Sequence, residues 1–173
     1  SGYTRQDLGN WERIVAEALE NSGVTADDIL QISLDAGLDN WGRDYKAGAE
    51  ALGASVIPNT LLSVDKQILV LRDYKPSVLV TTPSQAADLA RQVHAAGLEA
   101  GQLSLRTLIL AGEPAEPRLR RELETRLGVT TWQHYGLSEI PGPGMGFECP
   151  DRLSLHINDE HFLDYVIAEI ANA

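Results

Sequence analysis

The chain has 173 residues, 43% of them hydrophobic and 23% charged. That is enough apolar material for the core of one ordinary domain, and it excludes wholesale disorder. Lys and Arg number 14 against 25 Asp and Glu, a formal net charge of −11, which excludes neither a small-molecule site nor a protein partner but suits neither a nucleic acid nor an anionic membrane.

Cys149 is the lone cysteine. No intrachain disulfide framework is available, and a reducing, cytoplasmic setting is expected. No apolar run approaches the ~20 residues of a membrane span, and Ser1 to Arg5 carry nothing like a signal-peptide core.

In chain order, Thr4 is placed to cap the amide of Asp7, with Asp7 in the first turn, where negative charge is favoured. Leu8, Trp11, Val15, Ala18 and Leu19 then recur at helical spacing, and Gly23 closes the segment. Ile29 to Leu34 reads as a strand, Trp41 to Leu52 as a helix, and Ala54 to Ile57 as a short strand stopped by Pro58. Ser63 is expected to cap a helix with Val64, Ile68 and Leu71 inward, ending before Pro76. Ser77 to Thr81 is a buried strand. Thr82-Pro83 starts a helix that runs to Ala96. Leu105 to Leu110 is a strand, Pro117 to Leu127 a helix and Thr130 to His134 a strand. A Gly/Pro loop is expected over 136–150, followed by two strands, Leu153 to Ile157 and Tyr165 to Ile170.

This alternation predicts an α/β fold, a parallel sheet covered by helices on both faces with a short C-terminal β extension. The expected division is an α/β nucleotide-binding subdomain over 1–150 and a β extension over 151–173. In such sheets ligands bind beyond the carboxyl ends of the strands. That rule selects three loops: Thr81-Thr82-Pro83-Ser84, Ala111-Gly112-Glu113-Pro114 and His134-Tyr135-Gly136-Leu137-Ser138-Glu139. Glycines at 112 and 136 let a flat ligand approach the backbone. Tyr135 offers a ring face, Ser138 a hydroxyl for a phosphate and Glu139 a carboxylate for a hard cation such as Mg²⁺. The plainer alternative makes Tyr135 core, Gly136 a turn residue and Ser138 a cap.

Tyr135-Gly136-Leu137-Ser138-Glu139 resembles the Tyr-Gly-x-Ser/Thr-Glu motif of the adenylate-forming enzymes, the acyl-CoA synthetase superfamily. The run from Gly48 to Pro58, Thr82-Pro83-Ser84, Gly112-Glu113-Pro114, and Leu155-His156-Ile157 through Phe162 are similar to its phenylacetate–CoA ligase branch. The resemblance implies a two-step reaction: a carboxylate attacks the α-phosphate of ATP to give an acyl-adenylate, and the thiol of coenzyme A then displaces AMP. It implies that Gly112, Glu113 and Pro114 border the adenine, that Tyr135 stacks on it, and that Ser138 and Glu139 act at the α-phosphate and Mg²⁺. His134, Gly136 and Leu137 fall in the same nucleotide loop. Members of the family also carry a Ser/Thr/Gly-rich phosphate loop upstream and a catalytic lysine downstream. The chain is therefore expected to be a central fragment of a larger ligase, inactive alone and able to self-associate through exposed surface. The polar stretch Leu34 to Lys46 stands where the family is aromatic and glycine-rich, so it would either line a pocket for a polar acid or form a solvated face.

Other readings rank lower. Cys149, His156 and His161, with Glu148 adjacent, have partial zinc-like spacing. Arg118, Arg120, Arg121 and Arg126, interleaved with Glu116, Glu122 and Glu124, are expected to form a solvated, salt-bridged face. A non-catalytic Rossmann-like binding domain is the rival from another class. A dinucleotide oxidoreductase is disfavoured, because Asp35-Ala36-Gly37-Leu38 follows the first strand where a Gly-x-Gly-x-x-Gly would be needed.

Overall fold

The computed structural model describes residues 3–34, 39–57, 62–137, 142–148, 150 and 154–158. Thr4 opens the first helix as expected. Its hydroxyl accepts from the Asp7 amide at 3.1 Å, and the Asp7 carboxylate accepts from the Thr4 amide at 2.8 Å, so two otherwise orphaned helix-end donors are satisfied reciprocally. The elements then follow in order: α1 (Arg5–Asn21), β1 (Ile29–Ser33), α2 (Asp39–Ala51), β2 (Ser55–Ile57), α3 (Val64–Asp73), β3 (Val78–Thr81), α4 (Pro83–Ala95), a 3₁₀ turn (Ala100–Gln102), β4 (Thr107–Leu110), α5 (Pro117–Leu127), β5 (Thr130–Tyr135), β6 (Gly146–Glu148) and β7 (Leu155–Ile157).

The strands form one sheet in the order β2-β1-β3-β4-β5-β6-β7. The first five run parallel, and β6 and β7 continue the sheet antiparallel. Val78 to Thr81 and Thr107 to Leu110 are buried throughout, as strands covered on both faces must be. The sheet divides the core in two. Leu30, Ile32, Val78, Val80 and Ile109 pack beneath α1 and α2 with Val15, Leu19, Trp41 and Tyr45. Leu79, Leu108 and Leu110 pack on the other side with Leu71, Leu89, Val93, Leu123 and Leu127 from α3, α4 and α5. Each fully buried side chain of this size is worth roughly 1.5–3 kcal/mol. Helices α1 and α2 approach closely because Gly48 lacks a side chain: a Cβ there would lie 2.7 Å from Val15 Cγ1 and 2.9 Å from the Ala16 nitrogen.

Five sequence expectations need correction. Leu8, read with the apolar stripe of α1, is exposed one turn before the stripe becomes buried at Trp11. The stretch expected to be loop from Gly136 contains β6, whose Phe147 pairs with His134 and whose Gly146 pairs with Tyr135. Ser63 precedes α3 without a side-chain capping bond. Within the polar stretch, residues 39–46 belong to α2 and are not simply a solvated face: Trp41, Asp44 and Tyr45 are all enclosed. Arg120 is not part of a solvated face. Its guanidinium makes a bidentate pair with Glu148 at 2.6 and 2.7 Å, and it also donates to the hydroxyl and carbonyl of Thr131. On the same helix Arg126 does pair with Glu122 in the open, at 3.0 Å. The strand expected at Tyr165 to Ile170 lies outside the described residues. Among the described residues no helix is long and apolar enough to cross a membrane.

Candidate functional site

Polar groups close the amino ends of the strands. Asp28 accepts from the Thr25 amide at 2.8 Å, the Ser77 hydroxyl at 2.6 Å and the Arg106 guanidinium at 2.5 Å. The carboxyl ends are different. Beyond β4 and β5 lies a cleft of about 250 Å³, lined by Trp41, Gly112, Glu113, Pro114, Gln133, His134, Tyr135, Gly136 and Leu137. One water needs about 10–15 Å³ by the same measure, so the cleft has room for far more than a single water. It takes in two of the three loops chosen from the strand-end rule, and the third touches it. The Ser84 hydroxyl and amide, in the first turn of α4, donate to the Glu113 carboxylate at 2.7 and 3.1 Å. The loops after β3 and β4 are thereby riveted together.

Tyr135 ends β5 with 37% of its surface exposed, so a ring face in the cleft wall is open to a partner. Gly136 directly after it is buried against the returning chain: a Cβ there would stand 2.3 Å from the Gly142 carbonyl oxygen. Only glycine fits this close crossing of backbones. Ser138 and Glu139, expected at the α-phosphate and the metal, lie outside the described residues. So do Cys149 and His161, and His156 is an exposed residue of β7. Among the described residues no three His, Cys, Asp or Glu side chains gather where a metal could sit.

His134 is the last residue of β5 before Tyr135. It lines the cleft, yet it is buried, and both of its ring nitrogens are engaged. Nε2 lies 2.9 Å from Ser22 Oγ and Nδ1 lies 3.0 Å from Tyr45 Oη. Burial pushes its pKa down to about 3, so the ring is neutral at physiological pH. Burial likewise raises the Tyr45 phenol well above its usual value. Asp44 is also raised by burial, an effect that Arg43 at 3.5 Å offsets in part.

Sequence reasoning passed over Tyr45, Gln133 and the inward role of Ser22. A signal existed for Tyr45: positions 41, 45 and 49 form an i, i+4, i+8 stripe on α2, and all three are buried. Ser22 likewise continues the buried stripe of α1, three, four and seven residues beyond Leu19, Ala18 and Val15.

A solved structure of 2-hydroxyisobutyryl-CoA ligase, in an open conformation in complex with 2-HIB-AMP and CoA, superposes with a TM-score of 0.82 at 20% identity, covering 91% of this chain and 38% of that one. The fold is thus the α/β arrangement found in a CoA ligase. The chain belongs to the AMP-binding enzyme family, whose model matches residues 47–158. It is 36% identical over 167 residues to phenylacetate-coenzyme A ligase from Pseudomonas putida and 38% identical over 168 residues to that from Escherichia coli. In both cases it aligns over 96% of its own length and spans 38% of the relative.

Proposed function

We propose that this chain is the nucleotide-binding part of an ATP-dependent carboxylic acid–CoA ligase, with the adenine of ATP and AMP held in the cleft beyond β4 and β5. The observation that carries this reading is the placement of Tyr135, part-exposed, in one wall with Gly112 and Pro114. A planar base gains from an aromatic face and from backbone it can approach without intervening Cβ atoms.

In this reading Gly112, Glu113 and Pro114 border the purine while Ser84 holds Glu113 in place. Leu137 is the last described residue of the cleft wall, and Ser138 and Glu139 follow it directly in the chain. Their hydroxyl and carboxylate are suited to a phosphate oxygen and to Mg²⁺ respectively, because Mg²⁺ takes hard oxygen ligands. Mg²⁺ supplies charge neutralisation at the phosphates. A carboxylate oxygen attacks the α-phosphorus, pyrophosphate leaves, and an acyl-adenylate forms. The sulfur of coenzyme A then forms the thioester as AMP departs. Residues 1–150 would carry nucleotide binding and 151–173 would lead onward. ATP and coenzyme A as substrates point to a cytoplasmic setting.

The test is calorimetric titration of the chain with AMP and with NADH. AMP binding that Tyr135→Ala weakens about tenfold supports the reading, a loss in the range of base–aromatic stacking, ~1–3 kcal/mol per base. NADH binding without AMP binding overturns it.

A further inference from the structure

The polar atoms around His134 form a chain whose proton directions are determined by its last link. Ser22 Oγ lies 2.9 Å from the Ala18 carbonyl oxygen. A carbonyl can only accept, so the Ser22 hydroxyl proton is spent there. Ser22 Oγ must then accept from His134 Nε2–H. With Nε2 protonated and the ring neutral, Nδ1 is an acceptor, and the Tyr45 hydroxyl donates to it. The sequence of donors runs Tyr45 → His134 → Ser22 → Ala18, from α2 through β5 to the last turn of α1. The Tyr45 and His134 rings also overlap, with centroids 5.8 Å apart and planes 25° apart.

This chain grips β5 at the residue before Tyr135. The same strand end is held on its edge by β6, where Tyr135 pairs with Gly146 and a Cβ on Gly146 would lie 3.3 Å from Tyr135 Cβ. Two anchors therefore act at successive residues, and the Tyr135 ring projects from a backbone with little freedom to rotate. We propose that His134 is a positioning residue for nucleotide binding: locked as its Nε2–H tautomer between Ser22 and Tyr45, it fixes the end of β5 and so the ring of Tyr135 in the cleft. The inference rests on the nucleotide reading above. It goes beyond that reading because His134 acts through Ser22 and Tyr45, which stand behind the cleft wall, rather than by touching the nucleotide. Losing the grip lets the strand end sample other positions, and binding must then select the competent fraction, which lowers apparent affinity.

The experiment uses the intact chain labelled with ¹⁵N. Histidine imidazole spectra should show His134 with a protonated Nε2 and an unprotonated Nδ1. In Tyr45→Phe, which keeps the packed ring and removes one donor, AMP affinity should fall about five- to tenfold, the range of one ordinary hydrogen bond. Ser22→Ala is a second route to the same loss. In both variants the Tyr135 ring resonances should broaden or shift. A His134 protonated at Nδ1 instead overturns the inference. So does an unchanged AMP affinity in both variants accompanied by reduced thermal stability, the mark of a purely structural role. Failure of the wild-type chain to bind AMP overturns the nucleotide reading itself, and is told apart because it needs no variant.

Discussion

The two faces of β5 bury polar groups by opposite means. Toward α5, Thr131 sits under the bidentate Arg120–Glu148 pair, and Glu148 also accepts from the Gln133 amide at 3.0 Å. Toward α1 and α2, His134 is held without net charge between two hydroxyls. Full charges keep the first cluster together through geometry and attraction. The second stays together only while its imidazole lacks a second proton. The charged side ties β6 to the sheet, whereas the neutral side stands at the cleft, so the contacts nearest the cleft are the ones that depend on an uncharged imidazole.

The largest change should come from the charged side. Arg120→Met leaves the enclosed Glu148 carboxylate without its partner and should cost about 3–5 kcal/mol in urea unfolding. Adding Glu148→Leu should recover much of that loss, and a double variant no more stable than the single one would contradict the account. On the neutral side the lever is pH. The folded pKa of His134 is depressed to about 3 from an unfolded value of 6.5. Between those values the unfolded chain binds the extra proton and the folded chain refuses it. The contribution is fully present above pH 6.5, declines by about 1.4 kcal/mol per unit as pH falls, and levels off near pH 3. Urea midpoints that stay flat from pH 7 to pH 5 would remove the contrast between the two faces.

A third perturbation acts where the strand leaves the sheet. Gly136→Ala forces a methyl against the Gly142 carbonyl oxygen. It should cost about 1–3 kcal/mol by overpacking and weaken AMP binding more than it weakens folding, as titration and melting of the same sample would reveal. The smallest effect is a control on α5. Arg126→Ala removes only the exposed pair with Glu122 and should shift stability by less than about 0.5 kcal/mol.

The α/β order and the loops around the cleft were legible because they are local: caps such as Thr4 and Thr82, a proline at 83, and apolar runs such as Leu108 to Leu110. The two polar clusters were not, because their partners are distant in sequence. Arg120 meets Glu148 across 28 residues and His134 meets Ser22 across 112. Interleaved acidic residues made Arg120 look solvated, although it shares an i, i+3, i+7 stripe with the buried Leu123 and Leu127. Strand β6 was missed for a related reason. Gly146-Phe147-Glu148 is too short to show periodicity, and it is held by pairing with β5 and by that arginine.

The register of the parallel strands also sets a timescale. Ile29 pairs with Ser55, Leu30 with Val78, Val78 with Thr107 and Thr107 with Thr130, so every one of these rungs waits for a whole helical crossover to close. No tight turn can zip them up from one end. Refolding is therefore expected over milliseconds to seconds rather than microseconds. During that interval the apolar runs of β3 and β4 are uncovered, and dilute solution becomes the condition under which a denatured sample returns in good yield.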